Sequence, residues 1–568
     1  MRWVLAFYNK RIVFKTGANR STNASLRMLP GVVMMRPCYS NTGRTSTMVS
    51  SIIRIASLML ALFVSGNALG FERPNTQRPS TQRPNVVFML ADDLGYGDLG
   101  CTGHPYAKTP SIDQLASQGT MFRSFYSVGS TCVPSRVGFM TGRFPDAFSK
   151  DVAVEGNINS TTVTEVLKRQ GYRTGHFGKW DVGQKRESGT FGIDEIQVLR
   201  GAPDDASGKD SGITDATIDF IRKNKNEPFY VNVWFHSPHH PVIPHQSFVD
   251  RFADITFNRS DFKNPDFMDY LDIVEREYGV SSEGMRDYLG DVSQLDDQVA
   301  RILKAIDDEG LRESTIIVFS SDNGPARIKA DKDGSWGRDD DDPSLGAASA
   351  RSRRSFVGSA GPLRGRKHSI YEGGIRVPWI IRWPGQVAEG KIDESSVISA
   401  VDWLPTLASI TGAEFDQNSF DGEDVSEMWL GKKANRTRDL FWANSSPDSP
   451  RLASRHGNWK YYILRDGSKS LYDLSKDPSE SMDVIDENSS VAAKIDRSLR
   501  DWLKGLAPDS VARKTQPEKY RLAGTPVSLV KQLWRYRWEM LVVSMGVLAG
   551  GLGWLALRAR HGKQTAKS

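Results

Sequence analysis

The sequence has few cysteines and few histidines. Of its 568 residues, 3 are cysteines (Cys38, Cys101 and Cys132) and 9 are histidines. This scarcity excludes a fold held together by disulfides, whatever the compartment. No Cys/His ligand spacing predicts a zinc site.

A large excess of charge of one sign is also missing. The 74 Lys and Arg residues nearly balance the 68 Asp and Glu residues, which leaves a net charge of +6. No basic helix or aromatic-basic platform accompanies it, so we expect no nucleic-acid partner. A hydrophobic content of 39% is typical of a soluble globular protein, and the length predicts one large domain plus a smaller one.

Long apolar runs are rare, and the first spans residues 52–64. Arg54 lies near its start, and the small residues of Gly66-Asn67-Ala68 follow it, which predicts a secretory signal peptide over residues 48–70. Residues 1–47 are a spurious leader if Met48 is the true start. A real extended leader or an uncleaved anchor is the alternative.

The second apolar run, residues 540–557, carries no charge and is long enough to span a bilayer. Basic residues lie on both sides of this run, so charge bias barely predicts its direction across the membrane. The alternative is an amphipathic or buried helix, which the glycines in the run disfavour. We expect an exported catalytic domain tethered by this transmembrane helix. Residues 511–539 would be a linker and residues 558–568 a basic tail.

Short apolar runs alternate with helical patterns after a linker at residues 71–84. The runs are Asn85–Ala91, Tyr172–Phe177, Phe229–Phe235 and Ile316–Phe319, and the helical patterns are Ser160–Gln170 and Tyr288–Glu309. Unbroken apolar runs are typical of strands that are buried on both faces. The pattern predicts an α/β domain over residues 85–410, with a large, mostly parallel sheet sandwiched by helices and a site beyond the carboxyl ends of its strands.

The residue pattern of the sequence changes after about residue 410. Residues 459–464 and 470–474 predict an antiparallel hairpin, and residues 492–506 a terminal helix. We therefore expect a small α+β subdomain with an antiparallel sheet over residues 411–510. Residues 326–362 are expected to form a long loop.

Two polar pairs end apolar strands: Asp92 with Asp93, and Asp322 with Asn323. Four oxygen ligands of this kind suit Ca²⁺. Each residue alone could equally be a helix cap or a turn residue.

The segment CVPSR from Cys132 to Arg136, followed by VGFMTGR to Arg143, resembles the signature of the formylglycine-dependent (type I) sulfatases of the alkaline-phosphatase superfamily. In that family a maturing enzyme (formylglycine-generating or anaerobic) oxidises the cysteine to formylglycine. One hydroxyl of the hydrated aldehyde can attack sulfur, and loss of the proton of the other can expel sulfate. The alternative for Cys132 is a buried packing residue.

The resemblance also implies roles for other residues. Arg136 would steady the formylglycine diol, Lys179 and His239 would contact the sulfate, and Lys367 would neutralise the leaving oxygen. Fixed cations stabilise the spread negative charge of a sulfate in transfer. The implied Ca²⁺ ligands are Asp92, Asp93, Asp322, Asn323 and the formylglycine derived from Cys132.

One position departs from the family. Family members usually read Gly-Lys-Trp-His, whereas Asp181 follows Trp180 here. A carboxylate beside sulfate is unhelpful unless it is protonated or paired, and His176, His236 or His240 could compensate.

The sequence therefore predicts a sulfuric ester hydrolase acting on sulfated polysaccharides or on small aryl sulfates. The alternatives are a phosphate or phosphonate monoesterase of the same superfamily, which usually needs a two-metal site, and a sulfated-glycan binding protein with impaired turnover.

Overall fold

A computed structural model of the chain describes residues 83–506 except for short gaps, together with four short strands near the N-terminus. The gaps are residues 148–157, 159, 203, 280, 328, 331–335, 338–350, 353, 417–418, 433–434 and 447. The short strands pair as Ala6–Tyr8 with Arg11–Val13 and Met28–Leu29 with Val32–Val33. The signal peptide and the transmembrane segment expected from the sequence lie outside the described residues. Within the described part, none of the helices has the length and apolar character needed to cross a bilayer.

The central feature is a mixed sheet of eight strands. They are β1 (Asn85–Ala91), β2 (Thr120–Tyr126), β3 (Arg173–Gly178), β4 (Glu195–Gln197), β5 (Phe229–Trp234), β6 (Thr315–Ser321), β7 (Arg376–Arg382) and β8 (Lys391–Ser399). Their order across the sheet is β8-β2-β7-β6-β1-β5-β3-β4. Strand β7 is antiparallel to both of its neighbours, and the other pairings are parallel. The mostly parallel α/β sheet expected from the sequence is confirmed.

Both faces of this sheet are covered. In β1, Val86 and Phe88 join one apolar core, while Val87 and Met89 join the other. Successive side chains of a strand point to opposite faces, so an unbroken apolar run requires two cores.

Helices supply the cover. They are α1 (Pro110–Ser117), α2 (Cys132–Thr141), α3 (Val163–Arg169), α4 (Ser211–Asn224), α5 (Gln246–Val249), α6 (Pro265–Tyr278), α7 (Ser281–Asp308), α8 (Glu372–Ile375), α9 (Trp403–Thr411), α10 (Ser426–Trp429) and α11 (Ser489–Gly505). Helix α7 begins seven residues before the apolar pattern that predicted it.

A second, four-stranded antiparallel sheet follows in the chain. Its strands are β9 (Leu440–Ala443), β10 (Leu452–His456), β11 (Trp459–Ile463) and β12 (Lys469–Asp473), paired in chain order. The expected hairpin is β11 with β12, and helix α11 contacts this sheet. Ile370 and Trp442 belong to the same apolar core, so the second sheet packs on the main domain.

The orientation of β7 decides what reaches the site. Because β7 runs antiparallel, its first residue, Arg376, lies at the edge of the sheet where the parallel strands end. The loop before β7 is therefore brought to the same edge as the residues that follow β1, β3, β5 and β6.

Candidate active site

Two polar pairs meet where β1 and β6 end. Ser321 is in register with Ala91, and the Asp322 amide donates to the Ala91 carbonyl oxygen over 3.2 Å. The Asp93 amide donates to Asp322 Oδ1 over 3.1 Å. Asp93 has φ of 63°, a left-handed conformation that Asp tolerates better than most residues. The turn after β1 thus aims Asp92 and Asp93 at one point.

Cys132 begins helix α2, and Arg136 lies one turn further along the same face. Cys132 Sγ lies 3.3 Å from Asp92 Oδ1 and 3.9 Å from Asp93 Oδ1. Arg136 is fully buried and donates to Asp322 Oδ2 from Nε at 3.0 Å and from Nη2 at 2.8 Å. Its hydrogen bonds therefore hold a carboxylate rather than the Cys132 side chain.

Two lysine ammonium groups also face Cys132. Lys367 Nζ lies 3.3 Å and Lys179 Nζ 3.5 Å from Sγ. Lys367 also contacts both carboxylate oxygens of Asp93, at 2.7 and 2.8 Å, and Lys179 pairs with Asp92. Burial alone would lower the pKa of each lysine, but the neighbouring carboxylates raise both pKa values above the ordinary range. Both lysines are therefore charged at neutral pH.

Lys179 reaches this point because of Gly178, the last residue of β3. Gly178 has φ of 106°, and a Cβ there would lie 2.1 Å from the Trp234 carbonyl oxygen. Only glycine avoids that clash while adopting this conformation. The chain therefore turns sharply after β3 and presents Lys179 to the site.

His239 completes the group from the loop after β5. Its Nε2 lies 3.8 Å from Asp93 Oδ2, and its Nδ1 lies 2.8 Å from the His240 carbonyl oxygen. A carbonyl oxygen only accepts, so Nδ1 carries the proton and Nε2 is the atom presented to the site. Ligand atoms of Asp92, Asp93, Cys132 and His239 all lie within 4.8 Å of one another.

The donor set fits a hard divalent cation. Asn323 Nδ2 donates to Asp93 Oδ1 at 2.8 Å, while the buried Asn323 Oδ1 accepts no hydrogen bond from the described residues. Burial and the Asp92 carboxylate raise the pKa of Asp322 to about 7 despite Arg136. Burial would also raise the pKa of Asp92, but Lys179, Arg136 and Lys367 hold it below its ordinary value. Crowded carboxylate and amide oxygens of this kind are the ligands that Ca²⁺ prefers.

The structure brings together every site residue predicted from the sequence. The three basic residues face four carboxylates, those of the three aspartates of this cluster and that of Asp181 beside Lys179. A bound divalent cation would therefore leave an excess of positive charge, which suits an anionic substrate.

Asp181, the departure from the family, is paired. Its Oδ2 lies 3.2 Å from Lys179 Nζ, and about a third of its side chain is exposed. The three histidines that could compensate for the missing histidine serve other contacts. The Nε2 atoms of His176 and His236 lie 3.1 and 2.9 Å from backbone carbonyl oxygens, and His240 Nδ1 lies 2.7 Å from Ser352 Oγ. Burial lowers the pKa of His176 to about 3, so this ring stays neutral.

Sequence reasoning missed three supporting residues. Trp234 lies beneath the Arg136 guanidinium, 5.0 Å from it. Lys209 donates to the carbonyl oxygens of His239 and Pro241. Asn444 of the second sheet donates to the His368 carbonyl at 2.8 Å. No motif marks these residues, because their partners are distant in sequence.

Fixed cations around a carboxylate cluster, at the carboxyl edge of a mostly parallel sheet, suit the hydrolysis of an anionic ester. The family described as Sulfatase matches residues 84–413, and the family described as N-sulphoglucosamine sulphohydrolase, C-terminal, matches residues 366–508. The first match covers more than half of the chain. The chain therefore belongs to the sulfatase family and is a sulfuric ester hydrolase.

Individual relatives agree with this assignment. Arylsulfatase A of Homo sapiens is 29% identical over 522 residues, covering 76% of this chain and 91% of that protein. The N-acetylgalactosamine-6-O-sulfatase of Bacteroides thetaiotaomicron is 27% identical, covering 73% and 92%. The solved structure of Ps i-CgsB in complex with k-i-k-neocarrahexaose has a TM-score of 0.63 at 22% identity, covering 78% of this chain and 100% of that one. At this identity the structural match shows a shared fold.

Proposed function

We propose that this sulfatase acts through a formylglycine made from Cys132 and a Ca²⁺ ion held beside it. The observation that carries the proposal is the surroundings of Cys132 Sγ: Asp92 Oδ1 and Lys367 Nζ both at 3.3 Å, and Lys179 Nζ at 3.5 Å. Sγ marks the place of the oxygens that the modified side chain would carry. The proposed Ca²⁺ ligands are Asp92, Asp93, Asp322, Asn323 and the modified Cys132.

When present, the hydrated aldehyde supplies an oxygen nucleophile, and Ca²⁺ polarises the sulfate. Lys179 and Lys367 hold the anionic sulfate from two sides of Cys132, and Lys367 neutralises the leaving oxygen. His239 presents Nε2 to the ester oxygen and passes a proton there only from the imidazolium form, in which both ring nitrogens are protonated. Arg136 keeps the Asp322 carboxylate oriented through its two hydrogen bonds.

The substrate class we propose is a sulfated saccharide. Two relatives support this: one is named for N-acetylgalactosamine 6-O-sulfate, and one solved structure of the same fold holds D-glucosamine-2-N,6-O-disulfate as its substrate, with a TM-score of 0.56 at 20% identity. The excess of fixed cations that a bound Ca²⁺ would leave at the site also favours an anionic chain over a neutral one.

The test of the nucleophile is mass spectrometry of the peptide that contains Cys132, from protein produced together with a maturing enzyme. We expect a mass below that of the cysteine form and labelling by aldehyde reagents. Cys132→Ala should abolish turnover without unfolding the protein, whereas Cys101→Ala, at the other described cysteine, should retain it. An active enzyme with an unmodified thiol would refute the mechanism.

The test of the metal site is the Asp322→Ala variant. Bound calcium and activity should fall together, because one ligand is lost and Arg136 loses its two hydrogen bonds to that carboxylate. Asp308→Ala, an exposed aspartate on α7, is the matched control and should change neither. Full activity of chelated, metal-free protein would contradict the proposal.

We also propose that the enzyme is exported, matures with a formylglycine-generating or anaerobic sulfatase-maturing enzyme, and is anchored by residues 540–557. The support for export and anchoring is the two apolar runs of the sequence. Removing residues 533–568 should release active enzyme into the soluble fraction. If the full chain is already soluble without detergent, the segment is not an anchor.

A further inference from the structure

A second basic site lies apart from Cys132. A cleft of about 760 Å³ opens between the β2–β8 edge of the main sheet and the second sheet. We call it the arginine cleft, after Arg123 of β2, Arg376 of β7 and Arg455 of β10, which line it together with Glu394 of β8. Its described lining shares no residue with the group that surrounds Cys132.

The charge beside this cleft is not balanced. Nη1 of Arg376 and of Arg455 lie 3.5 and 3.8 Å from the same Glu372 Oε2, while Lys460 Nζ lies 2.9 Å from Oε1. Three cations thus share one carboxylate. Burial and the charge of Glu372 raise the pKa of the adjacent Glu480 to about 8, so Glu480 adds little negative charge at neutral pH. A net positive charge remains at the wall of the cleft.

Arg455 has hydrogen-bonding capacity left over. It is 4% exposed, and its Nε donates to the Gly457 carbonyl at 3.0 Å. Its Nη1 donates no hydrogen bond to any residue that the structure describes. This buried guanidinium, 3.8 Å from the carboxylate that it shares with Arg376 and Lys460, adds positive charge to the wall of the cleft.

Arg123 offers an accessible cation at the rim. Its Nη1 donates to the Tyr96 hydroxyl at 3.2 Å, and its Nε lies 3.7 Å from Glu394 Oε1. The side chains of Arg123 and Glu394 are 30% and 75% exposed, so this ion pair is weak and open to exchange. Arg436 also lines the cleft, but it donates two hydrogen bonds to Asp402.

We propose that the arginine cleft binds a sulfate group of an anionic saccharide chain, at a site separate from the one where the ester is cleaved. The forked donors of arginine match the oxygens of a sulfate group. A second contact of this kind would hold a long substrate while another of its sulfates is hydrolysed. The choice of a saccharide sulfate rests on the proposed function, whereas the binding of an anion does not.

The experiment measures binding in the full chain carrying Cys132→Ala, by calorimetry with dextran sulfate, unsulfated dextran and inorganic sulfate. Adding Arg123→Gln should weaken dextran sulfate binding about fivefold, and adding Glu394→Gln should tighten it about threefold. The matched controls are Arg173→Gln and Glu227→Gln, an exposed ion pair at 3.1 Å near the opposite edge of the sheet, which should change the affinity little. Unsulfated dextran should not bind.

Opposite effects of the two cleft substitutions cannot come from unfolding, and circular dichroism checks the fold of each variant. Equal affinity in all four variants would overturn the proposal. So would inorganic sulfate binding as tightly as dextran sulfate at equal sulfate concentration, since the cleft would then hold a free anion. Because the readout is binding by a chain that cannot turn over, a failure of sulfatase activity in the unsubstituted chain would count against the proposed function alone.

Discussion

The Asp181 side chain changes the electrostatic field around Cys132. Its carboxylate lies 3.2 Å from Lys179 Nζ, and that ammonium also faces Cys132. Asp181 therefore competes with an incoming sulfate for the same cation. Its φ of 49° is a conformation in which Asp and His are both found more often than most residues. The position can accept the family's usual histidine without rebuilding the turn.

The first prediction concerns Asp181→His. Removing the carboxylate frees Lys179 for the substrate, and imidazole titrates near neutral pH. We expect turnover of an aryl sulfate to be kept or raised several-fold, measured as kcat/KM with calcium content checked. Asp181→Ala separates the loss of charge from the gain of an imidazole. If both variants lose activity with fold and calcium retained, the carboxylate has a direct chemical role.

At the scale of elements, the loop after β5 depends on a buried lysine that precedes α4. Lys209 donates to the carbonyl oxygens of His239 and Pro241 and lies 3.4 Å from Asp291 Oδ2 of α7. Asp210 accepts from the backbone amide of Ser237 at 2.9 Å. These contacts fix the backbone on either side of His239.

The second prediction is that Lys209→Met lowers kcat about tenfold while calcium binding persists. Two carbonyl oxygens lose their donor and Asp291 loses its cation, so the loop that carries His239 shifts. The pH profile of kcat should change with it, because His239 would no longer present Nε2 at the same distance from Asp93. Lys223→Met, at an exposed position of α4, is the control. An unchanged pH profile would mean that Lys209 has only a structural role.

A buried aspartate ties the segment after β1 to α7. Asp98 Oδ2 accepts from the Tyr288 hydroxyl at 2.5 Å, and Oδ1 accepts from the Ser359 amide at 2.6 Å. Burial raises the pKa of Asp98 from 3.8 to about 7 in spite of these bonds. An acid whose pKa rises on folding keeps its proton in the folded chain after the unfolded chain has lost it. Its contribution to stability is therefore lost as pH rises from 3.8 to about 7 and is constant above that range.

The third prediction follows from that sign. Asp98→Asn removes the titration, so the stability of the variant relative to the unsubstituted chain should increase between those two pH values, by up to about 4 kcal/mol. Urea denaturation at several pH values measures the difference. The control is Asp308→Asn, an exposed position on α7, the helix that carries Tyr288. It should leave the pH dependence unaltered. A difference that stays flat with pH would show that Asp98 titrates alike in both states.

At the scale of the whole molecule, the second sheet holds together the two segments that carry Cys132 and Lys367. We call this connection the clamp. Asn444, directly after β9, donates to Ser130 Oγ at 3.0 Å and to the His368 carbonyl at 2.8 Å. Ser130 lies two residues before Cys132, and His368 directly follows Lys367. The C-terminal subdomain is thereby connected to the proposed nucleophile and to the lysine opposite it.

The fourth prediction is that Asn444→Ala costs about 1–3 kcal/mol of stability and lowers kcat/KM about tenfold, because two segments of the site lose a shared donor. Thermal denaturation and aryl sulfate kinetics measure the two effects. Asn488→Ala removes a comparable side-chain hydrogen bond, to the Val484 carbonyl, within the same subdomain. If both variants lose equal activity, the effect is general destabilisation and the clamp is not supported.

Much of this architecture could be predicted from local patterns. The apolar run that became β1 requires cover on both faces, and the polar residues after β1 and β6 meet because parallel strands end at one edge. The spacing of Cys132 and Arg136 puts both on one face of helix α2, although no pattern in the sequence predicted that helix. These features depend on neighbours in the chain, so the sequence by itself determines them.

Other features depend on residues that are far apart in sequence. Lys367 reaches Cys132 because β7 runs antiparallel between β2 and β6, and no residue pattern specifies that order. The sequence did not show whether the Asp181 carboxylate is paired. The turn after β3 settles this, because it places the carboxylate 3.2 Å from Lys179 Nζ. The arginine cleft assembles β2, β7, β8 and the second sheet, and its charge is unbalanced because three cations share the single carboxylate of Glu372. Only tertiary packing sets such distances, since electrostatic interaction depends on separation in space and on burial rather than on position along the chain.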